Sequence, residues 1–196
     1  MKVYHMSENI QTGQSFTTDY KHYGALVEPF VKAMKHSFEM FYGLILSAEY
    51  SGSVLAQYNL KGMPTHEIKW ATEGIFEYVR RNEFPDAPSR MKANYFFKNI
   101  EECQKLYDED WENATPEEKQ KIKLYEVELT GKYLECDMCL FDEAFEIMWE
   151  FESPMQMMNV MNLARKYYRG EQSEHSVMEI ISEEAAVVGK EIDLKK

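Results

Sequence analysis

Apolar residues recur at three- and four-residue intervals through residues 20–60, for example at Phe30, Met34, Phe38, Phe41 and Ile45, the spacing of one helix face. Pro29 can begin a helical segment there, and Ser51-Gly52-Ser53 interrupts or ends one. Pro64-Thr65-His66-Glu67 opens a second helix, carried by Ile68, Ala71, Ile75, Phe76 and Val79. It stops before Glu83-Phe84-Pro85, because a residue preceding proline is pushed out of the helical region. Beyond Pro85 the pattern changes. PDAPSR reads as a turn-rich loop and ANYFF (93–97) as a compact strand. Asn99 followed by Glu102 marks a capped helix start running to about Trp111, and Thr115-Pro116-Glu117-Glu118 starts a shorter helix. KIKLYEVELTG (121–131) is a strand ended by Thr130-Gly131. LFDEAFEIMWEF and PMQMMNVMNLARKYYRG are helical, with Gly170 as the stop. SVMEII (176–181) and AAVVGKEI (185–192) are strands, as is Lys-Val-Tyr before His5 at the other end of the chain. Strands this short and this widely separated predict an α+β domain rather than a doubly wound sheet.

The bulk numbers narrow this picture. At 196 residues, 44% hydrophobic and 14% aromatic, the chain suits one domain over 1–196 that buries its own core. No Gly/Ser linker, low-complexity tract or internal repeat divides it. MKVYHMSE is too polar for a secretory signal, and MFYGLILSA (40–48) is too short to span a bilayer. A cytoplasmic protein with no membrane partner is the expectation. The formal charge of −12 opposes nonspecific attraction to nucleic acid or anionic membrane. Basic residues cluster only at Arg80-Arg81 with Arg90 and Lys92, and at Arg165-Lys166 with Arg169. Three cysteines argue for a reducing compartment. Cys136-Asp-Met-Cys139 lacks the second pair a zinc site needs, with Cys103 far off, so these read as structural thiols and no metal is expected.

Four constellations could carry chemistry: Tyr4-His5-Met6-Ser7 at a strand end, Pro88-Ser89-Arg90 leading to Tyr95-Phe96-Phe97, Tyr125 to Asp137, and His175 to Ile181. His5 alone is as well explained as an ordinary strand residue. Glu179 shares a strand face with Val177 and Ile181, where a carboxylate is costly unless it is paired or points to water from an edge strand. Glycine-rich phosphate loops, a Gly-x-Ser-x-Gly elbow and a His-Glu-x-x-His helix are all absent from the sequence.

In order and spacing, Tyr4-His5-Met6-Ser7, Ala93-Asn94-Tyr95-Phe96-Phe97, Met178-Glu179-Ile180-Ile181 and the final AAVVGKEI resemble the ADP-ribosyltransferase superfamily. LYEVELTGKYLECD is similar to a segment of its rifampin-modifying members, which makes Asp137 a second candidate acid. The chain departs from the family at Met6, where a glycine is usual, and in its long helical region. The resemblance implies a split, strongly bent β-sheet around an NAD cleft, with a helical insertion over about 20–82. It implies an NAD-dependent transferase that breaks the nicotinamide–ribose bond and passes ADP-ribose to a protein or nucleic acid. Glu179 would be the catalytic carboxylate. His5 would hold a ribose hydroxyl, Ser7 would support that loop, and Tyr95 or Phe96 would stack on nicotinamide. Ser89 and Arg90 would complete the NAD site, with Arg90 on the pyrophosphate. A cytoplasmic toxin-like role with a neutralising partner follows from the same likeness. An NAD glycohydrolase, an inactive binding or inhibitor protein on this fold, and a plain helical interaction protein are the alternatives.

Overall fold

The computed structural model describes residues 1–16, 23–34, 65–150 and 154–193. The predicted helix positions Phe38, Phe41 and Ile45, the break at Ser51-Gly52-Ser53 and the start at Pro64 lie outside them. The elements are β1 (Lys2–Ser7), β2 (Ser15–Phe16), α1 (23–34), α2 (Thr65–Glu83), β3 (Asn94–Phe97), α3 (Ile100–Asp110) and α4 (Pro116–Lys121). They continue with β4 (Lys123–Glu128), β5 (Leu134–Asp137), α5 (Cys139–Trp149), α6 (Pro154–Tyr168), β6 (Met178–Ser182) and β7 (Ala186–Ile192). The protein is mixed α and β, with one antiparallel sheet in the order β2-β7-β4-β1-β3-β6-β5.

Local chemistry accounts for the boundaries. The Asn99 side chain accepts the Glu102 N–H at 2.8 Å and caps α3. Thr115 and Glu118 form a reciprocal capping box at α4, with Pro116 at its first position. Gly170, at φ +69°, ends α6 with bonds from Gly170 N–H to Tyr167 and from Glu171 N–H to Lys166, the paired pattern of a left-handed cap. Two strands were not legible. β2 is two residues long, and β5, Leu-Glu-Cys-Asp, has no β-branched residue to mark it. Pro29 lies inside α1 rather than at its start.

β1 pairs with β4 along its length but with β3 only where Tyr4 faces Phe97, among the described residues. The sheet is therefore weakly stitched between its halves β2-β7-β4-β1 and β3-β6-β5. On one face, Val3, Phe96, Tyr125, Val127, Ile180 and Val188 from both halves share an apolar cluster. On the other face α2, α5 and α6 cover β3 and β6 with the largest core, centred on Ile75, Phe76, Leu140, Val160, Tyr167 and Ile181. α2 falls within the expected 20–82 insertion, yet it packs as a central helix of this core. α1 crosses it at Gly74, where an added Cβ would lie 2.6 Å from Phe30 Cβ and 3.3 Å from the Val31 backbone nitrogen. Gly74→Ala is expected to cost about 1–3 kcal/mol, the scale of overpacking, read as a lowered urea midpoint at unchanged slope. No helix among the described residues is long and apolar enough to cross a membrane.

Candidate functional site

β6 lies inside the sheet, between β3 and β5, with Glu179 opposite Phe97 on one side and Cys136 on the other. Glu179 is therefore no edge-strand carboxylate in water; it is buried, and burial demands partners. Arg90, in the loop before β3, supplies one: its Nη1 is 3.0 Å from Glu179 Oε1. The same Nη1 donates to the Tyr167 hydroxyl, which donates onward to Glu179 Oε1 at 2.6 Å. The rest of the guanidinium is held in a two-pronged pair by Glu73 of α2, at 3.0 and 3.1 Å. Phe141 of α5 lies beneath it, with the guanidinium carbon 4.1 Å from the ring centroid. The Tyr95 hydroxyl bonds the Arg90 carbonyl at 2.8 Å and fixes that loop.

Two buried carboxylates thus share one guanidinium. Burial pulls on Arg90, but Glu73 and the groups around it outweigh that and hold it charged. Burial also pushes the Tyr95 and Tyr167 hydroxyls well above their ordinary range, so both remain donors. Among the described residues, both hydrogen bonds to the Glu179 carboxylate fall on Oε1. Oε2 is the oxygen it has to offer.

A cavity of about 810 Å³ opens on this network, lined among others by His5, Tyr23, Lys69, Glu73, Arg90, Tyr95 and Glu179. His5 stands at the seam where β1 leaves β3. Its Nδ1 meets the Tyr95 carbonyl at 2.8 Å; a carbonyl only accepts, so Nδ1 carries the proton and donates. Burial lowers its pKa below the usual 6.5 and outweighs that bond, which raises it. The unfolded chain thus takes up a proton before the folded one does. The His5 contribution is complete above about pH 6.5 and is lost as pH falls from there through the lowered folded pKa. Urea titrations from pH 7 to 5 are expected to show a steeper loss of stability in the wild type than in His5→Gln.

The structure therefore brings His5, Arg90, Tyr95 and Glu179 to one cavity and sends the other candidates elsewhere. Strand alternation turns Phe96 away from Tyr95, into the cluster shared by both half-sheets, where its ring meets the His5 ring edge-on with centroids 5.9 Å apart. Ser89 is buried beneath α2, its hydroxyl donating to Glu77 at 2.9 Å and its N–H to Glu183 at 2.7 Å. Ser7 accepts the Asn9 N–H in the turn after β1. Arg90, expected on a pyrophosphate, gives four of its five guanidinium donors to Glu73, Glu179 and Tyr167. Asp137 is fully buried and accepts the N–H groups of Cys139, Ser173 and Val177, so it pins the loop before β6. Cys103 and Cys136 are buried thiols, and the Cys139 thiol faces the His175 carbonyl.

Glu73, Tyr167 and Tyr23, whose hydroxyl reaches Glu73 at 3.4 Å, were not singled out from sequence. A signal for Glu73 was present: it interrupts the apolar face of α2 between Ala71 and Ile75, four residues before the equally buried Glu77. Tyr167 and Tyr168 read only as helix core.

No curated protein matches the chain in sequence. The profile of a family described as a protein of unknown function (DUF2441) matches residues 3–194, nearly the full length. The chain belongs to the DUF2441 family.

Proposed function

We propose that the protein is an NAD-dependent ADP-ribosyltransferase that passes ADP-ribose to a macromolecular acceptor, a protein or a nucleic acid. The observation that carries this reading is that His5 and Glu179, from opposite ends of the chain, both line one cavity beside the short β1–β3 pairing of the antiparallel sheet. A helical interaction protein has no need of that placement.

The chemistry suits the charges. When the bond between ribose C1′ and nicotinamide breaks, its electron pair leaves with nicotinamide and C1′ becomes electron-poor, as in glycoside cleavage. A carboxylate beside C1′ stabilises such a centre, and Glu179 Oε2 is placed to orient a ribose hydroxyl. An acceptor nucleophile then bonds to C1′ and gives up its proton to water. His5 is neutral, its ring fixed through Tyr95, and binds the ribose as a hydrogen-bonding group. Tyr95 is the aromatic beside it. Lys69 is the lining cation left for the pyrophosphate among the described residues. The toxin-like cytoplasmic role rests on the resemblance alone.

The test is transfer of label from adenine-labelled NAD to material in a cell lysate. Labelled macromolecular product supports a transferase, whereas free ADP-ribose as the sole product indicates a glycohydrolase. The Arg90–Glu179 ion pair favours a second reading, a binding or inhibitor protein on this fold without turnover. NAD binding with no nicotinamide released would support it.

A further inference from the structure

Past Glu179 the cavity changes character. Tyr95 packs with the helical core at the Arg90 end, whereas Phe97, opposite Glu179, belongs to the separate cluster beneath α3. Around Phe97 the lining is Met6, Leu106, Trp111 and Met138, with no formal charge on any of the five. Trp111 caps α3 and stacks on Tyr107, with ring centroids 5.9 Å apart and planes 24° apart. That contact sets the plane of the indole. Asp142, one helical turn along α5 from Met138, adds a carboxylate to the same lining.

We infer that this apolar end seats a flat aromatic side chain of a protein acceptor, laid against Trp111. A pre-oriented indole offers a π-face that an aliphatic group uses less well, and methionine thioethers pack favourably at ring edges. Asp142, with no cation among Met6, Phe97, Leu106, Trp111 and Met138, opposes a nucleotide phosphate at this end. The large cavity is thereby divided into an acidic reaction end and an aromatic acceptor end. The acceptor assignment rests on the transferase reading; the binding of a ring does not.

The experiment titrates N-acetyltryptophanamide, N-acetylleucinamide and adenosine monophosphate into the full chain carrying methyl-labelled methionine, followed by NMR. The tryptophan compound is expected to bind about tenfold more tightly than either other probe, moving the Met6 and Met138 methyl signals. Trp111→Leu, if folded, is expected to erase that preference; the methyl shifts in wild type locate the ring without any variant. Equal binding of the leucine compound, tighter binding of the nucleotide, or shifts confined to other methionines would overturn the inference. Saturating NAD should leave the tryptophan compound bound; displacement would give this end to the dinucleotide and sink the acceptor assignment. Ring binding with this preference but without nicotinamide release keeps the aromatic site and removes the transferase reading.

Discussion

Arg90→Met is expected to cost about 3–5 kcal/mol of stability, a large share of what a domain of this size has to lose. The guanidinium is 7% exposed and joins three elements: Glu73 on α2, Tyr167 on α6 and Glu179 on β6. Without it, two carboxylates that are 1% and 6% exposed face each other with no cation between them. Methionine fills much of the same volume, so the loss reports charge rather than cavity. Adding Glu73→Gln should recover part of it, because one of the stranded charges is then gone. Urea denaturation of wild type, the single variant and the double variant measures this directly. A single-variant loss under about 1 kcal/mol would show that water already satisfies these carboxylates.

The second large effect is on chemistry. Glu179→Gln keeps an oxygen for Tyr167 and Arg90 and keeps the side chain's shape, so the protein is expected to fold. It removes the negative charge from Oε2. If that charge stabilises an electron-poor C1′, nicotinamide release should fall at least ~100-fold, the scale seen when one preorganised electrostatic contributor is lost. The KM for NAD should change far less, since the charge matters most as the bond breaks. Glu179→Gln also leaves Arg90 with Glu73 as its carboxylate partner, so a modest stability change is expected beside the rate effect, and circular dichroism separates the two.

Much of the fold was written locally. The caps at Asn99 and Thr115, the stop at Gly170 and the alternation in β4 each depend on residues within a turn or two, and the structure has them where the pattern put them. β5 was hidden because its strand character comes from pairing with β6, not from its own residues. The site divides in the same way. His5 and Glu179 stood out because each is a polar group in an apolar strand. Which of Tyr95 and Phe96 faces the cavity followed from alternation only once the covering helices were known. Arg90 could be flagged as a cation, but its partners come from α2, α6 and β6, which no local pattern joins. Ser89 is drawn under α2 by Glu77, a carboxylate held below its ordinary range by Arg80 and Arg81 against the pull of burial. Sequence spacing carries no trace of that attachment.

The measurement that bears most directly on NAD cleavage at Glu179 is nicotinamide release from NAD by the purified protein, with and without lysate, beside Glu179→Gln. The expected result is release by the wild type that lysate stimulates and that Glu179→Gln lowers at least ~100-fold. Release that survives unchanged in Glu179→Gln, or none from folded wild type in either condition, would contradict it.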